Sequence, residues 1–119
     1  MKTDNQQISV VCFGEVLYDV FPTHKKIGGA PLNVAIRLAS LGVKSQIISR
    51  IGNDEIGKEL IQYINEHGVN SSSIQVDNEL KTGEVIVQLN DKGSASYTIN
   101  YPAAWDKIIE TPEDEVIVK

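Results

Sequence analysis

The chain has 119 residues and a formal net charge of −5. That length gives one domain that buries roughly two thirds of the unfolded chain's surface, and it leaves no room for two ordinary domains. With 41% hydrophobic and 23% charged residues the composition argues against disordered and fibrous classes, and the acidic balance argues against a general binder of nucleic acid or anionic membrane, which needs a basic surface.

Residues 8–13 (Ile-Ser-Val-Val-Cys-Phe) are short, β-branched and mostly apolar, the pattern of a strand buried on both faces. Val16 to Val20 continues as an extended stretch, and His24-Lys25-Lys26 reads as a turn after Pro22. Gly28-Gly29-Ala30-Pro31 opens a helix that runs through Leu41. Pro31 suits the first helical position, where its missing N–H costs nothing, and Gly42 suits the left-handed cap beyond the end. The helix is apolar on most sides, so a largely buried helix is expected, with Asn33, Arg37 and Ser40 as its polar stripe.

Residues 46–51 read as a second buried strand and Gly52-Asn53 as a loop. Asp54 is a good N-cap for a helix whose apolar face holds Ile56, Leu60, Ile61 and Ile64. That helix stops at Gly68, with His67 in its last turn. A third strand follows near Ile74 to Val76. Strand, helix, strand, helix, strand is the order of an α/β domain with a parallel sheet. Next, Val85, Val87 and Leu89 alternate with Glu84, Ile86 and Gln88, and Ala95, Tyr97, Ile99 and Tyr101 alternate with Ser96, Thr98 and Asn100. With Asn90-Asp91-Lys92-Gly93 between them they form an antiparallel hairpin whose apolar face needs a cover. Thr111-Pro112-Glu113-Asp114 starts a further helix with only five residues left, so the natural protein is expected to continue.

The single cysteine, Cys12, reads as a small core residue and rules out an internal disulfide framework. No apolar run approaches a membrane span, and residues 1–9 are polar, unlike a secretory signal, so a cytoplasmic protein is expected. Residues 52–59 match G-x-x-x-x-G-K but end in Glu59 where a P-loop has Ser or Thr, and Asp54 and Glu55 put negative charge where phosphate would lie. A capped strand-to-helix turn fits better. Neither a dinucleotide glycine fingerprint nor a G-x-S-x-G elbow is present. His24 and His67 have no partner at metal-ligand spacing, so no metal site is assigned. What remains is Asp19 after the first strand, Gly28-Gly29 and Asn33. A carboxylate with an amide that both donates and accepts is a natural clamp for vicinal hydroxyls; the plainer alternative is that both satisfy turn and cap bonds.

Phe13-Gly14-Glu15-Val16-Leu17-Tyr18-Asp19, Gly28-Gly29-Ala30-Pro31-Leu32-Asn33-Val34-Ala35, Leu41-Gly42 and Ile51-Gly52-Asn53-Asp54-Glu55-Ile56-Gly57 together resemble the amino-terminal signature of the ribokinase-like (PfkB) carbohydrate kinases. Ala30, where ribokinases usually carry Lys, and the stretch 101–105 (Tyr-Pro-Ala-Ala-Trp) are more like the fructokinases. The resemblance implies a Rossmann-type parallel sheet with helices on both faces and a small β-sheet lid. Residues 1–119 would be the N-terminal part of one such domain, with lid segments 20–27 and 82–101.

The resemblance also implies roles. Asp19 and Asn33 would bind sugar hydroxyls, Gly28 and Gly29 would hinge the lid, Gly29 would offer its backbone to the substrate, and Tyr97 and Tyr101 would belong to the lid. Gly52, Asp54 and Gly57 would form a structural turn and cap. The implied reaction is ATP-dependent phosphorylation of a sugar hydroxyl, fructose first. The alternatives are 2-keto-3-deoxygluconate, tagatose phosphate or a nucleoside as acceptor, or a non-catalytic sugar-binding or dimerisation fragment. ATP, Mg²⁺ and a monovalent cation are the implied cofactors, and a homodimer through the lid the implied assembly. The family's catalytic Asp lies in a Gly-x-Gly-Asp motif that these residues lack, so no catalytic residue is assigned and the isolated chain is expected to be inactive.

Overall fold

A computed structural model describes residues 8–99 and 102–109. In chain order the elements are β1 (Ser9–Phe13), β2 (Leu17–Val20), β3 (Lys25–Gly28), α1 (Ala30–Ser40), β4 (Lys44–Gly52), α2 (Glu55–Glu66), β5 (Ile74–Asp77), β6 (Gly83–Leu89), β7 (Ala95–Ile99) and a 3-10 turn (Ala104–Lys107). The expected helix start at Thr111 and the residue Tyr101 lie outside the described residues.

The branched, apolar runs pair in parallel in the order β1-β4-β5, with Cys12 opposite Ile47 and Ile51 opposite Val76. Successive side chains of a strand alternate faces, so Ser45, Ile47, Ser49 and Ile51 share one. Leu32 and Ala35 from α1 and Leu60 and Ile64 from α2 join Cys12, Ile47 and Ile51 in one core cluster. Each large side chain buried there contributes about 1.5–3 kcal/mol. The Ser45 hydroxyl donates to the Ala35 carbonyl at 2.8 Å and ties α1 to the sheet. Both α-helices of the described residues thus serve the same face, and the 3-10 turn also packs on β4.

Two local expectations need correction. Lys25 and Lys26 are not a turn but open β3, because they pair with Val20 and Asp19 of β2. The chain reverses earlier, where the Phe21 N–H donates to the His24 carbonyl at 2.8 Å and the two rings stack 4.5 Å apart. Lysines on an edge strand keep its open side in water. Helix α1 is not largely buried either. Only Leu32 and Ala35 are buried, and Val34 is 51% exposed, because β1 and β4 meet only one side of it.

The other four strands form a second sheet in the order β3-β2-β6-β7. β2 runs parallel to β6, whereas β3 and β7 are antiparallel to their neighbours. The hairpin closes on Asn90, whose Oδ1 accepts from the N–H groups of Lys92 and Ser94 at 2.9 Å. No helix among the described residues is long and apolar enough to cross a membrane.

Asp77 ends β5 with a knot of bonds. Its Oδ1 accepts from the N–H groups of Leu80 and Glu79 at 2.8 Å, and its Oδ2 from Arg50 Nε at 2.9 Å. The backbone donors, then Arg50, hold its carboxyl down at about 2. A depressed carboxylate adds stability above its unfolded pKa and loses it as pH falls through the folded one. The stability gap between wild type and Asp77→Asn should therefore be full near neutrality and shrink between about pH 4 and pH 2. Denaturant melts across that range check this; a gap that does not change with pH would refute it.

Candidate functional site

The two sheets meet where β1 leaves for β2 and β3 leaves for α1. Asp19, Gly28 and Gly29 come together there, with Asn33 in the first turn of α1 beyond them. Asp19, half-buried on β2, lies opposite Lys26 of β3 and Val85 of β6. Residues opposite one another share a sheet face, so Lys26, Asp19, Val85 and, on β7, Ile99 form one row. Gly28 sits beside this row. A Cβ on Gly28 would come within 2.8 Å of Asp19 Oδ2, so the missing side chain is the space the carboxylate occupies.

Gly29 follows at φ +109°, and a Cβ there would fall 2.5 Å from the Glu15 carbonyl oxygen. Only glycine lets the two crossing segments approach so closely. Gly29 is also the N-cap residue of α1, and no side chain caps that helix end. Asn33, in the first turn, bonds its own N–H to the Gly29 carbonyl at 3.0 Å and exposes its side chain. Among the described residues neither the Asp19 carboxylate nor the Asn33 amide has a side-chain hydrogen bond. Polar groups left free in this way are available to a ligand.

Tyr97 lies farther off. On β7 it faces Val87 of β6, two strands from Asp19 and two residue pairs along, and is 67% exposed. Leu89, Tyr97 and Ile99 are exposed on the hairpin face that also carries the buried Val87. Sequence reasoning missed Lys26, Val85 and Ile99 as neighbours of Asp19. The alternation in 84–101 gave their faces, but nothing local gives the β2–β6 register.

The opposite face of β2 is anchored. The buried Tyr18 ring joins the core, its hydroxyl donates to Glu59 Oε1 of α2 at 3.2 Å, and Lys25 Nζ lies 5.9 Å from its centroid. Burial, then the Glu59 charge and the hydrogen bond to it, raise the Tyr18 pKa.

The 52–59 turn does not fit a phosphate. Asp54 caps α2, its Oδ1 accepting from the Gly57 N–H at 2.7 Å, so the carboxylate fills the anion position itself. The described residues hold no cluster of three or more His, Cys, Asp or Glu able to take a metal ion. The buried Cys12 has its thiol pKa raised by burial, which keeps it unreactive.

A parallel α/β sheet, a second sheet rooted at its edge and a polar cluster at the junction define an α/β domain with a small appended sheet. Residues 3–116 match the pfkB family of carbohydrate kinases, and the chain belongs to that family. Among named relatives, a fructokinase of Solanum tuberosum is 31% identical over 117 residues, covering 88% of this chain and 36% of its own. The fructokinase of Xylella fastidiosa with bound ATP superposes with a TM-score of 0.76 at 31% identity, over 84% of this chain and 35% of that one. The fructokinase of Vibrio cholerae O395 in its fructose, ADP and calcium ion bound form gives 0.71 at 28% identity, over 85% and 35%. The chain spans between 27% and 38% of the length of the curated relatives it matches.

Proposed function

We propose that this chain is the sugar-binding portion of a cytoplasmic ATP-dependent kinase that phosphorylates a sugar hydroxyl, with fructose the first choice of acceptor. The observation that carries the proposal is the Asp19 carboxylate, without a side-chain hydrogen bond among the described residues and held over Gly28, beside the open start of α1 with Asn33. Asp19 would accept hydrogen bonds from two sugar hydroxyls and Asn33 would both donate and accept. The free N–H groups at the start of α1 would add donors. The fructose-bound and ATP-bound fructokinase relatives support this reading.

The second sheet would act as a lid, with Gly28 and Gly29 at its hinge. Its closure keeps water from competing with the sugar as phosphoryl acceptor. The ATP pocket, the metal ions and the Asp that takes the hydroxyl proton would come from outside these residues. The exposed hairpin face of Leu89, Tyr97 and Ile99 would meet a second lid in a homodimer.

The test is a panel of acceptors with ATP, using the full-length protein. Fructose, 2-keto-3-deoxygluconate, tagatose phosphate and a nucleoside are compared at matched concentration. Fructose should give the highest kcat/KM. No transfer to any acceptor would sink the kinase reading, and a better rate with another acceptor would reassign the substrate.

A further inference from the structure

The turn at 52–57 carries a second set of bonds that capping does not require. Asp54 accepts from Gly57, as a helix cap does, but it also reaches out of its own helix. Its Oδ1 accepts from Thr82 Oγ1 at 2.7 Å and its Oδ2 from the Thr82 N–H at 3.1 Å. Thr82 Oγ1 in turn accepts from the Gly52 N–H at 2.9 Å. Thr82 is buried, at 3% exposure, and is the residue immediately before β6. On its other side Lys81 accepts through its carbonyl from the Ala104 N–H at 2.8 Å. The base of β6 is therefore gripped from β4, α2 and the 3-10 turn together.

The connection from β3 to α1 is built differently. β3 departs through Gly29, a positive-φ glycine with no side chain to lock it. Among the described residues, the base held by side-chain bonds is next to Gly83, which faces Leu17, and Val85, which faces Asp19. Whatever fixes Thr82 fixes β6, and β6 fixes the strand that carries the carboxylate. Burial pushes the Asp54 carboxyl up, but bonds from Thr82 and Gly57 and the Lys81 charge outweigh it and leave its pKa lowered. It thus serves Thr82 as a charged acceptor, the stronger kind.

We propose that Asp54 and Thr82 are positioning residues: they clamp the base of β6 to the parallel domain and thereby hold Asp19 in place to receive the sugar. The clamp stands on geometry alone, whereas its catalytic effect rests on the sugar-kinase reading.

The test uses the full-length protein and Thr82→Val, which keeps the volume and removes the hydroxyl, with Thr82→Ser as the conservative rescue. Hydrogen exchange of the β2 and β6 amides is read alongside KM for fructose and for ATP. Thr82→Val should speed exchange in residues 17–20 and 83–89, and at Gly52, whose N–H loses its acceptor, and leave 44–51 unchanged. It should raise KM for fructose about tenfold, the scale of one lost charge-assisted bond, and leave KM for ATP within about twofold. Thr82→Ser should restore both. Should Thr82→Val fail to fold, Asp54→Asn retains a cap for Gly57 and loses an acceptor for Thr82, with the same expected pattern. A lower melting temperature with unchanged exchange and unchanged KM for fructose would overturn the clamp. A wild type that phosphorylates no sugar would overturn the kinase reading instead, and the exchange comparison would still decide the clamp.

Discussion

Asp19→Asn should raise the dissociation constant for fructose by about 10- to 100-fold and leave the fold standing. The magnitude is that of a hydrogen bond to a charged acceptor, about 1.5–3 kcal/mol. The fold should survive because asparagine has the same shape and the described residues give the carboxylate no hydrogen-bond partner to lose. Its neighbours are the edge residue Lys26, the bare backbone of Gly28 and the apolar Val85. Gly28→Ala provides the matching experiment, since the new methyl would press on Asp19 Oδ2. It should weaken fructose binding with the carboxylate still present. Calorimetric titration of both variants with fructose, beside thermal melts, reads both effects. An Asp19→Asn variant that binds fructose as the wild type does would remove Asp19 from the site.

Gly29→Ala should cost more stability than any other single methyl added to a positive-φ glycine of this chain. The conformation alone costs a non-glycine residue about 1–3 kcal/mol. To that the clash with the Glu15 carbonyl oxygen adds its share, because a Cβ would lie 2.5 Å from a backbone atom that cannot swing away. Gly42 separates the two contributions. It also has positive φ, +85°, but nothing lies within 4 Å of an added Cβ. Gly42→Ala should cost about 1 kcal/mol and Gly29→Ala at least about 3 kcal/mol, a large part of the 5–15 kcal/mol that holds a typical domain together. Urea midpoints of the two variants in the full-length protein make the comparison. Equal losses would show that close approach of the backbones is not why position 29 is glycine.

The elements that were legible in the sequence are those defined by local patterns. The apolar run at 9–13, the Asp54 cap with Ile56, Leu60 and Ile64 behind it, and the alternation either side of Asn90 each state their structure within a few residues. Lys25 and Lys26 were not legible as a strand, because their pairing with β2 is what makes them one. The burial of α1 was overread from its apolar content, since composition does not say how many sides a neighbour covers. Asp19, Gly28, Gly29 and Asn33 were singled out as candidate site residues by the resemblance of the motifs that hold them to the carbohydrate-kinase signature. Thr82 gave no signal. Its hydroxyl matters because a carboxylate far away in the chain reaches it, and that distance is closed only by the fold.

The parallel pairing of β2 with β6 carries a consequence for assembly. α1, β4, α2 and β5 all lie between these strands in the chain. The ladder that seats Asp19 can close only after that whole stretch has been drawn together, against the entropy of a long loop. The β1–β4 pairing closes a shorter loop than the β2–β6 pairing. The sheet that bears the carboxylate is therefore expected to form after the parallel one, at a rate set by its long-range contacts more than by the helices.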